Sequence, residues 1–177
     1  MATSHKNMSE YSQDENVNLT ERKIGIVVSE YNTEITESLY NASVETLIKH
    51  GMKEENIIRR NAPGAFELTL GAQFLAARED IDGVICLGCV IQGETRHFDF
   101  ICQAIAQGIT KVSLAFFKPV SFGVLTPNTM EQAKDRAGGK HGNKGVEAAV
   151  AVIKMLGFPE SLINEEFDGE EGDLLFF

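Results

Sequence analysis

The chain has 177 residues, 43% of them hydrophobic and 24% charged, which is typical of one ordinary globular domain. Its formal net charge of −10 argues against a nucleic-acid-binding surface, although the acidity is largely terminal: residues 165–177 hold six acids and no base, whereas residues 21–164 hold 17 acids and 15 bases. No apolar run reaches the ~18 residues of a membrane helix and the polar start lacks the apolar centre of a secretory signal, so a cytoplasmic protein is expected.

The amino-terminal part of the chain predicts an arm followed by a strand and a helix. Residues 1–22 are polar and show no hydrophobic period, as in a mobile arm, and order is expected to begin near Lys23. Residues 24–29 form a short, continuous apolar run, which indicates a strand buried on both faces. Apolar positions then recur at helical spacing over residues 33–50, with Asn32 or Thr33 as cap and Gly51 as stop.

The same alternation of strand and helix continues along the chain. Further strands are predicted at residues 56–60, 83–91 and 120–125, with helices at 66–77 and 98–115. A capping-box pattern at residues 129–132 starts another helix that ends at Gly138, and residues 143–156 form the last helix before Gly157. This alternation predicts an α/β fold, with a parallel sheet covered by helices on both faces.

The end of the chain differs in composition from the rest. Residues 163–177 mix acids and glycines and finish in two leucines and two phenylalanines. A solvated, disordered tail is favoured for such a composition, with docking of its apolar end as the alternative. The expected organisation is therefore an arm (1–22), one domain (23–162) and an acidic tail (163–177).

The cysteines include a Cys-Leu-Gly-Cys sequence that resembles a redox motif. Cys86 and Cys89 fall within the predicted central strand, where their α-carbons would lie ~10 Å apart with side chains on opposite faces. A disulfide needs less than ~7 Å. A redox or metal role is therefore not favoured, either for this pair or for Cys102.

Ligands of an open parallel sheet bind beyond the carboxyl ends of its strands, so the loops at that edge are the first candidates. After the central strand come Gly93, which permits a tight turn, Thr95, which can cap, and the start of a helix whose free N–H groups suit an anion. His97 would lie beside an anion held there, and an imidazole is well suited to proton transfer at neutral pH. A capping or packing histidine is the alternative.

Three other stretches carry candidate chemistry. Residues 63–67 offer a rigid turn, a ring for stacking and the carboxylate of Glu67, or else only a capped helix start. Tyr31 and Asn32 add an aromatic ring and an amide at the same edge, or else form a turn. Residues 136–145 place several cations around glycines, which favours phosphate or carboxylate binding about as much as a solvated turn.

Taken together, residues 23–162 resemble lumazine synthases. The matching motifs are residues 63–67, 88–100, 119–126 and, after them, 131–133, 136–138 and 142–145. The resemblance implies a flavodoxin-like three-layer α/β/α sandwich with a central four-stranded parallel sheet. It also implies homopentamers, sometimes twelve of them in an icosahedral shell, with active sites between adjacent subunits and riboflavin synthase as a candidate partner. The polar residues before Lys23 and the long acidic tail depart from the family pattern.

The resemblance also implies roles for individual residues. Tyr31 and Asn32 would face the pyrimidine, Val90 and Ile91 would bind its edges through their backbone, and His97 would transfer protons. The ribityl chain and ring would be held by Ala65, Phe66 and Glu67, with Lys144 nearby and Phe122 supplied by a neighbouring subunit. The phosphate would be bound by Gly93, Glu94, Thr95 and Arg136.

The implied reaction condenses 5-amino-6-(D-ribitylamino)uracil with 3,4-dihydroxy-2-butanone 4-phosphate, giving 6,7-dimethyl-8-ribityllumazine in the penultimate step of riboflavin biosynthesis. It needs no metal, flavin or nicotinamide, and binding two substrates in register supplies most of the acceleration. Three alternatives remain: a catalytically silent flavin-binding or shell-forming relative, a Schiff-base aldolase using Lys144, and a riboflavin synthase of the archaeal type. Retention of both His97 and Arg136 argues against the first.

Overall fold

The computed structural model describes residues 17–166. Its elements, in chain order, are β1 (Ile24–Ser29), α1 (Thr33–Lys49), β2 (Ile57–Ala62), α2 (Leu68–Ala76), β3 (Gly83–Cys89), α3 (His97–Phe116), β4 (Val120–Leu125), α4 (Met130–Asp135), β5 (Ala137–Gly139), β6 (Gly142–Asn143) and α5 (Lys144–Glu166). A short 3-10 turn, Glu54–Asn56, precedes β2.

The central sheet has four parallel strands in the order β2-β1-β3-β4. The continuous apolar runs of β1 and β3 occupy the two central positions, where every residue of both strands is buried. This arrangement confirms the predicted α/β fold and its central four-stranded parallel sheet. All four strands end at one edge, called here the carboxyl edge.

Two helical layers cover the sheet and enclose separate cores. On one face, α1 and α5 pack around Ile26, Leu39 and Val152, and on the other α2 and α3 pack around Leu68, Cys86 and Ile105. Alternation along β3 sends successive side chains to opposite cores, as strand geometry requires. The result is the flavodoxin-like three-layer sandwich that the family resemblance implies.

The ends of α1 and α4 follow their local sequence signals. Gly51 has a φ of 89° just after α1, and its N–H donates to the Ile48 carbonyl while that of Met52 donates to Leu47. This is a Schellman termination, which requires the left-handed backbone that glycine tolerates. At the start of α4 the Thr129 hydroxyl accepts the Gln132 N–H at 3.3 Å, as the capping-box pattern predicted.

The packed chain begins before the predicted boundary at Lys23. Leu19 is 1% exposed and lies in the α1/α5 core, with Val17 packed beside it. The Asp82 carboxylate fixes the end of this segment, because it accepts hydrogen bonds from the Arg22 guanidinium at 3.0 Å and from the Lys23 N–H at 2.7 Å. Val17 and Leu19 are only two apolar residues in a polar segment, which is too few to form a hydrophobic period. The sequence therefore contains no sign that they are buried. The rest of the predicted arm, residues 1–16, lies outside the described residues.

The last helix was predicted to stop before Gly157, and this prediction was wrong. Helix α5 continues through Gly157 and Pro159 to Glu166. A β-carbon on Gly157 would lie 2.4 Å from Cγ2 of Val17, so this glycine makes room for the amino-terminal segment instead of ending the helix. Residues 163–166 of the predicted tail are therefore helical, and residues 167–177 lie outside the described residues.

Candidate active site

Two exposed aromatic rings mark the carboxyl edge. Tyr31, directly after β1, is 71% exposed, and Phe66, after β2, is 55% exposed. Burial of such rings is normally favourable, so the exposure of both at a ligand-binding edge is typical of a surface that stacks on a planar ligand.

Glu67 and Tyr31 meet at Gly64. The β-carbon that Gly64 lacks would lie 2.9 Å from a Glu67 carboxylate oxygen and 3.7 Å from the Tyr31 ring. Ala65, which is 8% exposed, anchors this turn by packing in the α2/α3 core. The structure thus places Tyr31 and Glu67 against Gly64, in the turn that also carries Ala65 and Phe66.

Asn32 takes the cap position of α1, but its side chain does not cap the helix. The backbone is left-handed, with φ 57° and ψ 50°, and the side-chain amide donates to the Cys89 carbonyl at 2.9 Å. The Thr33 hydroxyl donates to the Glu30 carbonyl at 2.9 Å within the same turn. Asn32 therefore links the end of β1 to the end of β3.

The segment after β3 leads from the sheet to His97. Val90 and Gln92 donate their N–H groups to the Leu125 and Pro127 carbonyls at 2.8 and 3.0 Å, so Val90 and Ile91 run beside the end of β4. Gly93, Glu94 and Thr95 are exposed. The Thr95 hydroxyl accepts the His97 backbone N–H at 3.4 Å. His97 is the first residue of α3, and its imidazole is exposed.

Gly93 was predicted to permit a tight turn, but its φ is not among the positive values of the described glycines, which belong to Gly51, Gly138 and Gly142. A β-carbon at Gly93 would meet nothing within 4 Å. The glycine therefore leaves open space above the start of α3, and the turn does not depend on it.

Arg136 and Lys144 share one carboxylate that the sequence analysis missed. Glu147 accepts from the Arg136 guanidinium at 2.5 Å and from the Lys144 ammonium at 3.1 Å, and its side chain is only 12% exposed. Arg136 also donates to the His141 carbonyl. We call Arg136, Lys144 and Glu147 the ion cluster. The available signal for Glu147 was its position three residues after Lys144 in the first turn of a predicted helix.

A hairpin unforeseen from sequence holds the ion cluster. Strands β5 and β6 pair antiparallel between α4 and α5. The Ser38 hydroxyl of α1 donates to the Ala137 carbonyl at 2.6 Å, and Asn143 accepts the Gly145 N–H at 2.8 Å. The glycines at 138 and 142, for which anion binding and a solvated turn were both open, have positive φ and serve this hairpin. The ion cluster therefore lies in the α1/α5 layer.

Phe122 lies away from the other candidate residues of its own chain. It pairs with Cys86 across β3 and β4, in the middle of the edge strand, and its ring lines a groove beside Ile109 and Leu114 of α3. Tyr31 lies beyond the end of β1, two strands away. At ~4.8 Å between strands and ~3.3 Å per residue, the two α-carbons are separated by more than ~10 Å.

The cysteine pair behaves as the strand argument predicted. Cys86 faces the α2/α3 core and Cys89 the α1/α5 core, and both thiols are free. Burial raises the pKa of the Cys86 thiol to about 12 and that of Cys89 to about 11. Both sulfurs are therefore protonated at neutral pH and poor nucleophiles.

Between residues 17 and 166 no three His, Cys, Asp or Glu side chains gather in an arrangement that could hold a metal ion. Over the same residues, no helix combines the length and apolar character needed to cross a membrane.

Comparison with known proteins assigns the chain to a family. The family model for 6,7-dimethyl-8-ribityllumazine synthase matches residues 21–160. A relative of that name from Cytophaga hutchinsonii is 64% identical over 156 residues, covering 88% of this chain and 98% of its own. Relatives of the same name from Parabacteroides distasonis and Flavobacterium johnsoniae are 51% and 52% identical, covering 89% and 88% of this chain and 99% and 82% of their own. The chain therefore belongs to the 6,7-dimethyl-8-ribityllumazine synthase family.

Proposed function

We propose that this protein condenses 5-amino-6-(D-ribitylamino)uracil with 3,4-dihydroxy-2-butanone 4-phosphate to form 6,7-dimethyl-8-ribityllumazine, the penultimate step of riboflavin biosynthesis. The observation that carries the proposal is the family match over residues 21–160. The carboxyl edge supports it, because two exposed aromatic rings and the Glu67 carboxylate lie there, and exposed rings beside a hydrogen-bonding group suit a flat, polar ligand.

Each substrate has a proposed set of contacts. The pyrimidine stacks on Tyr31, faces Asn32 and is bound by the backbone of Val90 and Ile91. The ribityl chain and ring are held by Ala65, Phe66, Glu67, Phe122 and Lys144. The sugar phosphate is bound by Gly93, Glu94, Thr95 and Arg136.

The reaction proceeds by proton transfers that His97 is placed to assist. The primary amine of the pyrimidine attacks the ketone, and loss of water gives an imine. Phosphate then leaves, and the second nitrogen closes the ring with loss of another water. The imidazole of His97 is exposed at the start of α3, beside the proposed phosphate loop, where it can pass protons among these groups. The protein's larger contribution is to hold both substrates in register.

We further propose that the active site is completed by a neighbouring copy of the chain. The ion cluster and the turn at Ala65 belong to opposite layers of the sheet, and Phe122 lies two strands away from Tyr31. In a symmetric assembly, the ion cluster and Phe122 of one copy would lie against the carboxyl-edge loops of the next copy, which carry Tyr31 and Ala65. A pentamer, or a shell of twelve pentamers, in the cytoplasm is the proposed form, with riboflavin synthase as a candidate partner.

Exposed apolar side chains on the α2/α3 layer favour such an assembly. Leu70 and Phe74 of α2, Leu114 of α3 and Phe117 after it are 52–95% exposed. Large exposed apolar surface on one face is typical of a protein–protein interface.

The aldolase alternative is disfavoured by the ion cluster. A Schiff-base lysine needs an uncharged amine in an apolar pocket. The Lys144 ammonium is instead bound to the Glu147 carboxylate at 3.1 Å, and the Lys144 side chain is 29% exposed.

Steady-state kinetics with both substrates test the proposed function through Arg136. A charged contact to phosphate is worth about 1.5 to 3 kcal/mol, so Arg136→Ala should raise KM for the sugar phosphate roughly tenfold or more. KM for the pyrimidine should change much less.

Lys140→Ala is the matched control, because Lys140 lies on the same hairpin but is paired with Asp135 at 2.9 Å and 67% exposed. Both of its KM values should stay within about twofold of wild type, as for most exposed ion pairs. Equal effects of Arg136→Ala on the two substrates would place Arg136 away from the phosphate, and a wild-type protein that leaves both substrates unchanged would refute the function.

A further inference from the structure

Asn32 adopts a backbone conformation that most side chains avoid. Of the non-glycine residues in the described part of the chain, Asn32 and Phe117 have a positive φ, 57° and 51°. Asparagine tolerates this region better than most residues do. An asparagine at a helix cap usually accepts a hydrogen bond from its own helix, but the Asn32 side chain makes no such bond.

The side chain is used instead to join two loops of the carboxyl edge. Its amide donates to the carbonyl of Cys89, the last residue of β3, at 2.9 Å. Strands β1 and β3 are paired up to Val28 and Leu87, so this bond continues the connection beyond the last paired residues. On the other side of β1, the Glu30 N–H donates to the Ala62 carbonyl at 2.9 Å. The loop after β1 is thus fixed to both neighbouring strands.

The two residues joined by this bond each adjoin a proposed pyrimidine contact. Tyr31 precedes Asn32, and Val90 follows Cys89. A change in the distance between Asn32 and Cys89 therefore changes the distance between Tyr31, which stacks on the pyrimidine, and Val90, whose backbone binds its edge. Direct contact with the pyrimidine is not required for Asn32 to affect its binding.

We propose that Asn32 is a positioning residue whose amide bond to Cys89 sets the spacing between Tyr31 and Val90, and thereby the selectivity of the site for the flat pyrimidine. This inference rests on the proposed function. It assigns the effect of Asn32 to Tyr31, through which it acts, and not to a bond with the substrate.

The test uses Asn32→Gly, which keeps the left-handed backbone and a permitted helix cap but removes the amide. Loss of one hydrogen bond should raise KM for the pyrimidine about three- to tenfold, with KM for the sugar phosphate within about twofold of wild type. Thr33→Ala is the control, because it removes a hydroxyl bond within the same turn but leaves the bond to Cys89. Its KM values should match wild type.

A double-mutant cycle separates positioning from direct contact. If Asn32 acts through Tyr31, Asn32→Gly should have little further effect on KM for the pyrimidine in a Tyr31→Ala background. The same fold-change in both backgrounds would overturn the proposal in favour of a direct contact, and so would an unchanged KM in Asn32→Gly. An equal rise of both KM values would show a merely structural role. An inactive wild-type protein would instead refute the proposed function.

Discussion

Replacement of His97 by alanine is expected to lower kcat by roughly 10² to 10⁴, the range for loss of a general acid or base. His97 is the first residue of α3, its N–H is bound by Thr95, and its imidazole is exposed beside the proposed phosphate loop. A smaller decrease is expected only if the substrate's own amine and phosphate carry the protons. Affinity for an unreactive ribityl pyrimidine should change little, because its proposed contacts lie elsewhere.

His97→Asn is the matched variant, because it keeps a polar side chain that hydrogen-bonds but does not act as a general acid or base. It should lose as much kcat as His97→Ala. An unchanged kcat in both variants would leave the proton chemistry to the substrates, and loss of binding together with rate would make His97 a binding residue.

Replacement of Gly145 by alanine is expected to destabilise the protein by roughly 4 kcal/mol or more, which is exceptional for a single substitution. The added β-carbon would lie 2.0 Å from the Leu39 carbonyl oxygen and within 2.9 Å of two further backbone atoms of Leu39. Those atoms belong to the middle of α1, so relief of the overlap requires α1 and α5 to separate. The buried Ser43 hydroxyl, whose single hydrogen is within bonding distance of the Leu39 and Gly145 carbonyl oxygens, each 2.9 Å away, would lose its geometry too.

Thermal unfolding measures this effect. For a chain of this size, 4 kcal/mol corresponds to a decrease in Tm of about 8 to 16 °C. Gly93→Ala is the stability control, because its β-carbon would meet nothing within 4 Å, and its Tm should stay near that of wild type. A Tm of Gly145→Ala equal to that of Gly93→Ala would contradict the close contact between α1 and α5.

The parts of the fold that follow a strong local pattern were predictable from sequence. The six buried residues of β1, the helical period of α1 and the Thr129 cap of α4 each have a physical signature within a few residues. The two strands of the β5–β6 hairpin have only three and two residues, too few for a period, and the hairpin is bound by Ser38 of α1. The glycine at 157 inside α5 likewise reflects the close approach of Val17, more than a hundred residues away, and not the end of the helix.

The candidate site shows the same division. Ligand-binding loops at the carboxyl edge follow from parallel-strand topology, so Tyr31, Phe66 and His97 could be chosen before the structure. Glu147 was missed because its role is to pair with Arg136, which lies eleven residues earlier in the chain. Only the hairpin brings these two side chains together. Gly145 was placed in a glycine-rich bend that suited either anion binding or a solvated turn, whereas it permits a close contact between α1 and α5, because sequence alone does not show what approaches a glycine.

Subunit complementation is the most direct test of the central claim, that one copy supplies His97 and another supplies Arg136 to a single condensation site. His97→Ala and Arg136→Ala chains would be coexpressed with different tags, purified as mixed assemblies and assayed for lumazine formation at a low concentration of sugar phosphate. If neighbouring copies share each site, about a quarter of the sites in a random equal mixture regain both residues, so activity should rise to about a quarter of wild type, well above either parent. Mixed assemblies that are no more active than their parents would contradict the shared site.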